Sequence, residues 1–387
     1  MPALWSYPWT LSELGLENSW SKLHEIGAEA INLASHYHSV RALQPRLPEN
    51  LFVSYPGGCY FVPSSERFDD SPISPIPNDV PGLADPVREI TKSATDADID
   101  VNAWVVLSHN SRLGGRYPEY RLESAFGDPQ DHTFCPSHPE VREYYAKVVE
   151  AVAARGVAEV QLESVGYGTV FHGHGLNFGH DKRQVLSTPV DTWLLSQCFC
   201  DGCRSMMSSH AVNLAEARET VRDLIQSSFA NPDSNLPPVS SLIRENPVLQ
   251  DLFDFRAAVV SDLFERLAEA AGDTRLNYYV MEGTGLDVGD IWPSGVRFAD
   301  LTRHMDTLTA LCYVGDSAVA RQRIAGISRL FDGSIDAGIT LDQDAIRSRA
   351  ALSELVEQIR PRVDGRIHYY HHSLATDAQL EWIRSVS

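Results

Sequence analysis

Short apolar runs alternate along the chain with stretches of helical periodicity, and the alternation recurs eight times. The apolar runs Leu4–Pro8, Ala30–Ser35, Asp100–Ser108, Glu159–Glu163, Arg275–Glu282, Thr307–Val314, Ser334–Asp342 and Arg366–Ser373 predict strands. Between them, Leu16–Gly27, Leu83–Ala97, Pro139–Arg155, Ala211–Phe229, Val248–Ala271, Ser317–Phe331 and Ser348–Arg360 predict helices, and Thr376–Val386 predicts a closing one. Strands separated by helices pair in parallel through right-handed crossovers, so eight repeats predict a (β/α)8 TIM barrel. A doubly wound open sheet is the alternative. The first strand and its turn, LWSYPWTL, contain no G-x-G-x-x-G phosphate loop, which argues against it.

One domain, residues 1–387, is expected, with two long excursions. The first, residues 40–82, is rich in Pro and Gly. Its pieces LFVSY and CYFV, flanking Pro56, Gly57 and Gly58, predict a hairpin. The second is a Cys- and His-rich insertion over residues 165–210.

A parallel barrel carries its chemistry where the strands end. Three carboxylates stand there: Glu163 after the fourth strand, Glu282 after the fifth and Asp342 after the seventh. Cleavage of a glycosidic bond needs two such groups, one to protonate the leaving oxygen and one to act as nucleophile or base. Around them fall Trp5, Tyr7, His36, His38, Trp104, His109, Asn110, Tyr167, His172, His174, Tyr279, Tyr313 and His371. Aromatic faces with imidazole and amide donors suit the apolar and hydroxyl faces of a sugar. The expected activity is therefore that of a glycoside hydrolase, with Glu163 as proton donor and Asp342 or Glu282 as nucleophile. Glu163 ends an apolar strand, so burial is expected to raise its pKa.

Two other readings stay open. His36, His38, His172 and His174, with His180 and Asp181, offer imidazole and carboxylate ligands for a metal-dependent sugar isomerase or lyase. A barrel that binds carbohydrate without turning it over uses the same aromatic residues. No organic cofactor is expected.

The cysteines carry a sharper signal. CFCDGC places Cys198, Cys200 and Cys203 at C-x-C-x2-C spacing, and Cys135 lies in FCPSHP after the third strand. Four thiolates make a closed, structural zinc site. Cys59 and Cys312 lie outside this pattern.

The segment CPSHPEVREYYAKVV, a strand-end Glu and then CFCDGC together resemble family 42 β-galactosidases. The resemblance implies a barrel in which Cys135, Cys198, Cys200 and Cys203 hold a structural zinc and Glu163 is the acid/base. It covers about 70 residues, here counted from Cys135 to Cys203. In that family an Asn precedes the acid/base, where this chain has Leu162, and the strand-seven nucleophile is a Glu, where this chain has Asp342. The family's trimerisation and β-sandwich domains are not expected in these 387 residues.

Charge narrows the partners. With 52 Asp plus Glu against 32 Lys plus Arg, the net charge of −20 disfavours nucleic acid and anionic membranes. No run approaches the ~20 apolar residues of a membrane span, and Met1–Trp20 lacks a basic start and an apolar signal core. A cytoplasmic protein acting on a carbohydrate is expected, and a homo-oligomer is left open.

Overall fold

A strand in a closed barrel has two buried faces, one toward the helices and one toward the barrel axis. This chain fills them with different chemistry. In the computed structural model, which describes residues 2–171, 184–185, 188–207, 210, 212–280 and 294–386, eight parallel strands close on themselves. They are β1 (Pro2–Ser6), β2 (Ala30–Tyr37), β3 (Asp100–Val106), β4 (Glu159–Glu163), β5 (Arg275–Val280), β6 (Thr307–Cys312), β7 (Ser334–Thr340) and β8 (Ile367–Tyr370). Each pairs with its neighbours in chain order, and β1 closes the ring by pairing with both β2 and β8. The (β/α)8 barrel is thus the fold. Among the described residues no helix is long and apolar enough to cross a membrane.

Val160 and Leu162 of β4, Leu276 and Tyr278 of β5, and Ile335, Ala337 and Ile339 of β7 are buried apolar residues on the face opposite the axis. Tyr278, for example, packs edge-on against Phe264 of the helix Pro247–Ala271. The axial positions are largely polar. Asn102 donates to Asn32 (2.9 Å), Asn32 to His368 Nδ1 (2.7 Å), and His368 Nε2 to Asp336 (2.7 Å). Asn277 and Gln161 donate to Glu159, Tyr279 donates to Gln161, and the Trp5 indole donates to Tyr279. Partners at these distances offset the desolvation of buried polar groups. Burial pushes the Asp336 carboxyl up, but His368 and the Arg366 main-chain N–H outweigh it and hold it below the usual range. Removing one partner of such a buried pair is expensive. His368→Leu is therefore expected to destabilise the fold by about 3–5 kcal/mol, measurable as a lower urea midpoint.

Above this layer Trp5 fills the axis, its ring 5.4 Å from His368, 5.6 Å from Tyr279 and 5.8 Å from Tyr370. Gly338 makes room for it: a Cβ there would lie 2.8 Å from the Trp5 ring.

The first excursion differs from expectation in its pairing. Phe52–Tyr55 pairs with Val40–Leu43, not with CYFV. Gly58–Cys59 instead adds antiparallel to the end of β2, against His36 and Tyr37. Gly58 permits this because its backbone passes the Ile76 carbonyl so closely that a Cβ would stand 2.5 Å from the oxygen. A second hairpin, Arg121–Glu123 with Pro129–Phe134, follows β3 and leads into Cys135.

Candidate active site

Glu163 is the last residue of β4 and points along the axis at the C-terminal mouth of the barrel. It is half-buried, and the Trp104 indole N–H of β3 donates to its Oε2 at 2.6 Å. Burial pushes the carboxyl up to about 7, with the Trp104 hydrogen bond partly opposing the rise. Trp104 is itself fixed by an edge contact with Tyr37 at 4.4 Å and lies 6.4 Å from Trp5. The carboxyl is therefore held in one orientation and remains protonated to a useful extent at neutral pH.

Tyrosine side chains gather near it. Tyr7 and Tyr37 meet edge-on at 5.6 Å, and a negative charge on Glu163 opposes ionisation of Tyr37, Tyr279, Tyr313 and Tyr370. Tyr370 and Tyr7 also line a cavity of about 560 Å³ that extends toward Asp342. Asp342 lies just past β7 on the same mouth. It is exposed, and its Oδ1 accepts from the Asp344 N–H at 2.9 Å. Glu163 and Asp342 thus open onto one end of the barrel.

Tyr37 and Tyr370 were not among the residues expected from sequence. Continuing the period of two from His368 along β8 places Tyr370 on the axis. Tyr37 was hidden by a bulge: β2 slips one residue against β3 between Ala34 and His36. That slip turns Tyr37 inward and His36 outward.

Several of the residues expected at the site have partners within the protein. His36 faces the helix layer, where Nδ1 donates to the Val106 carbonyl (2.6 Å) and Nε2 accepts from Tyr144 (2.9 Å), and burial pushes it down to about 4. Asn110 caps a helical turn, accepting from the Leu113 N–H and donating to the Tyr37 carbonyl. Tyr167 is buried, its hydroxyl 2.7 Å from Ser137 and its ring 3.8 Å from the Arg256 guanidinium. Tyr279 spends its hydroxyl on Gln161 and Trp5 inside the barrel. Trp104 is buried and engaged with Glu163.

Other expected residues stay at the mouth. His38 and His109 stack at 4.7 Å on the rim above β2 and β3. Tyr313 is 38% exposed beside Tyr370. His371 packs on Tyr7 at 4.2 Å and lines the cavity. Glu282, His172, His174, His180 and Asp181 lie outside the described residues.

The four cysteines converge on one another in the segments that follow β3 and β4. Cys135 follows the second hairpin, while Cys198, Cys200 and Cys203 come from the segment running into the helix Asp201–Met207. Their sulfurs all lie within 4.8 Å of one another and are buried. Cys135 is 3.6 Å from Cys203 and 3.7 Å from Cys198. A tetrahedron with metal–sulfur bonds of ~2.3 Å has edges of about 3.8 Å, so the spacing fits a four-coordinate ion. The Glu123 N–H donates to Cys198, and Ser137, itself bonded to Tyr167, lies 3.2 Å from Cys203. Such outer contacts orient thiolate ligands. Tyr167 is thus linked through Ser137 to the cysteine cluster.

No protein-family model matches the chain, and no curated protein does. Solved structures do match in fold. α-L-Fucosidase isoenzyme 2 from Paenibacillus thiaminolyticus aligns with a TM-score of 0.56 at 12% identity, covering 96% of this chain and 45% of its own. The polyextremophilic β-galactosidase from the Antarctic haloarchaeon Halorubrum lacusprofundi aligns at 0.54 and 13%, covering 98% and 54%. A family 42 β-galactosidase from G. stearothermophilus aligns at 0.54 and 11%, covering 100% and 55%. The chain thus spans about half the length of each of these proteins. They share its eight-stranded barrel, and the resemblance to family 42 extends to solved structures of that fold.

Proposed function

We propose that this chain is a glycoside hydrolase in which Glu163 is the general acid. The observation that carries the reading is the Glu163 carboxyl, held by Trp104 at the C-terminal mouth of β4 with a pKa raised to about 7. A general acid works best when its pKa lies near the working pH. The fold is one that glycosidases use, which supports the reading by analogy. Asp342, on the same mouth, is the partner carboxylate that the described residues favour; Glu282 is the other candidate.

The chemistry follows from the placement. Glu163 gives its proton to the glycosidic oxygen as the C–O bond breaks, and positive charge gathers at the anomeric carbon. Asp342 stabilises that charge, either by bonding to the carbon or by drawing a proton from water. Glu163, now a carboxylate, takes up a proton from water if the route is a double displacement. The Tyr37 and Tyr370 hydroxyls supply polar contacts beside it.

We also infer that Cys135, Cys198, Cys200 and Cys203 hold zinc. All four ligand positions come from protein, so the ion would brace the structure and leave no open position for chemistry.

The pH dependence tests the acid directly. Only protonated Glu163 can donate, so kcat/KM is expected to fall as pH rises through about 7. Trp104→Phe removes a hydrogen bond that favours the charged form, so that falling limb should move to higher pH. Hydrolysis of a panel of disaccharides, whose sugar leaving group needs the proton, followed from pH 4 to 10 by the reducing sugar released, measures both (~1-unit steps locate the limb). Absence of turnover with the panel, or an unmoved limb in Trp104→Phe, would count against this assignment.

A further inference from the structure

We infer that the cavity beside Tyr7 and Tyr370 is a subsite for a neutral pyranose on the glycone side of the scissile bond. The inference rests on the glycosidase reading for its orientation, and on the cavity alone for its chemistry.

Orientation comes from the order of the barrel. The cavity opens between the ends of β7 and β8, and β4, which carries Glu163, is four strands from β8 and three from β7. The proton donor and the cavity therefore face each other across the mouth. A general acid acts on the leaving-group oxygen, so the departing group belongs on the Glu163 side. The sugar that keeps the anomeric carbon belongs opposite, against Asp342 and Tyr370.

The walls suit such a unit. The volume of about 560 Å³ lies within the usual ~300–1,000 Å³ of a small-molecule site. Leu43 and Leu374 offer an apolar surface, while Asp342 and Gln343 offer acceptors and a donor for hydroxyls. His371, another lining residue, is 1% exposed, and its Nε2 has no hydrogen-bond partner. A buried polar atom without a partner is costly, and a ligand hydroxyl would satisfy it.

Charge at the walls is balanced between Arg41 and Asp342, so no net positive field draws in an acidic sugar. Arg41 is the lining cation, and its guanidinium lies over the Phe52 ring at 4.6 Å on the exposed face of the hairpin. Asp342 would repel a carboxylate that entered. A neutral ring with an apolar face and several hydroxyls meets every wall.

The test separates the subsite from the hydrolase reading. D-Galactose, L-fucose and maltose are titrated calorimetrically into the parent protein and into Gln343→Trp and Leu43→Trp. Both substituted residues are exposed at the rim, so the fold should tolerate an indole there. At least one sugar is expected to bind the parent, and both substitutions should weaken it by ~10-fold or more. Binding unaffected by either substitution, or no binding of any of the three sugars, overturns the subsite. A parent that cleaves glycosides while both variants bind as before keeps the hydrolase and loses the subsite. A parent that binds sugar in this cavity but cleaves no glycoside does the reverse.

Discussion

Glu163→Gln is expected to lower kcat for a substrate with a sugar leaving group by ~10²–10⁴-fold, the usual contribution of general acid catalysis. Gln keeps the shape and can still accept the Trp104 hydrogen bond, but it has no proton to give at this pKa. The loss should therefore fall on the chemical step, with sugar affinity little changed. A p-nitrophenolate leaving group departs with little protonation, so the loss should be much smaller for the aryl glycoside than for the disaccharide. That contrast is the signature of an acid; a residue that only held the loop in place would cost both substrates alike. Disaccharide turnover at the parent rate would remove Glu163 from this role and pass it to Glu282.

The second large effect concerns stability. Purified protein is expected to hold one zinc ion per chain, and stripping it with a strong chelator should loosen the segments that meet at the cysteines. Loss of a structural metal belongs to the small class of changes costing more than about 4 kcal/mol. Scaled to 387 residues, the usual unfolding entropy gives about 1.2 °C per kcal/mol, so Tm should fall by about 5 °C. Cys203→Ser should reproduce most of that fall and make the chelator nearly without effect. The hairpin Arg121–Glu123/Pro129–Phe134 and residues 188–207 should lose hydrogen-exchange protection first, since Cys135 ties one to the other. Metal-free protein with the same Tm would exclude a structural ion at this cluster.

How far the sequence reached can be seen residue by residue. The barrel was legible because the outward face of each strand is apolar and the intervening helices are long, so period and length both pointed one way. The cysteine cluster was legible because three of its members share one turn of chain. Glu163 was legible from its position at a strand end. The sugar contacts were much less so, because residue type says nothing about which way a side chain faces. His36 and Tyr37 are adjacent and equally suited to bind a sugar, and only the bulge after Ala34 decides that Tyr37 looks inward. Asn110 and Tyr167 sit in loops that looked functional, yet both are consumed by local structure, one as a helix cap and one against Arg256. Local sequence carries no trace of Gly58–Cys59 joining β2, since that pairing depends on an approach to Ile76 made possible by the folded excursion.

The polar axis of the barrel has a consequence for how this protein can change over generations. From Asn102 through Asn32 and His368 to Asp336, every hydrogen bond runs in one sense, each member giving a proton to the next. An apolar interior forgives a swap of similar volume, but a one-way relay does not. Asn32→Asp keeps the size and yet removes the donor that His368 Nδ1 needs, so it must await a compensating change at residue 368. Substitutions inside this barrel should therefore be tolerated in matched pairs, whereas those on the helix-facing side of the same strands can drift singly. In a deep library of variants, residues 32, 102, 336 and 368 should show strong pairwise epistasis.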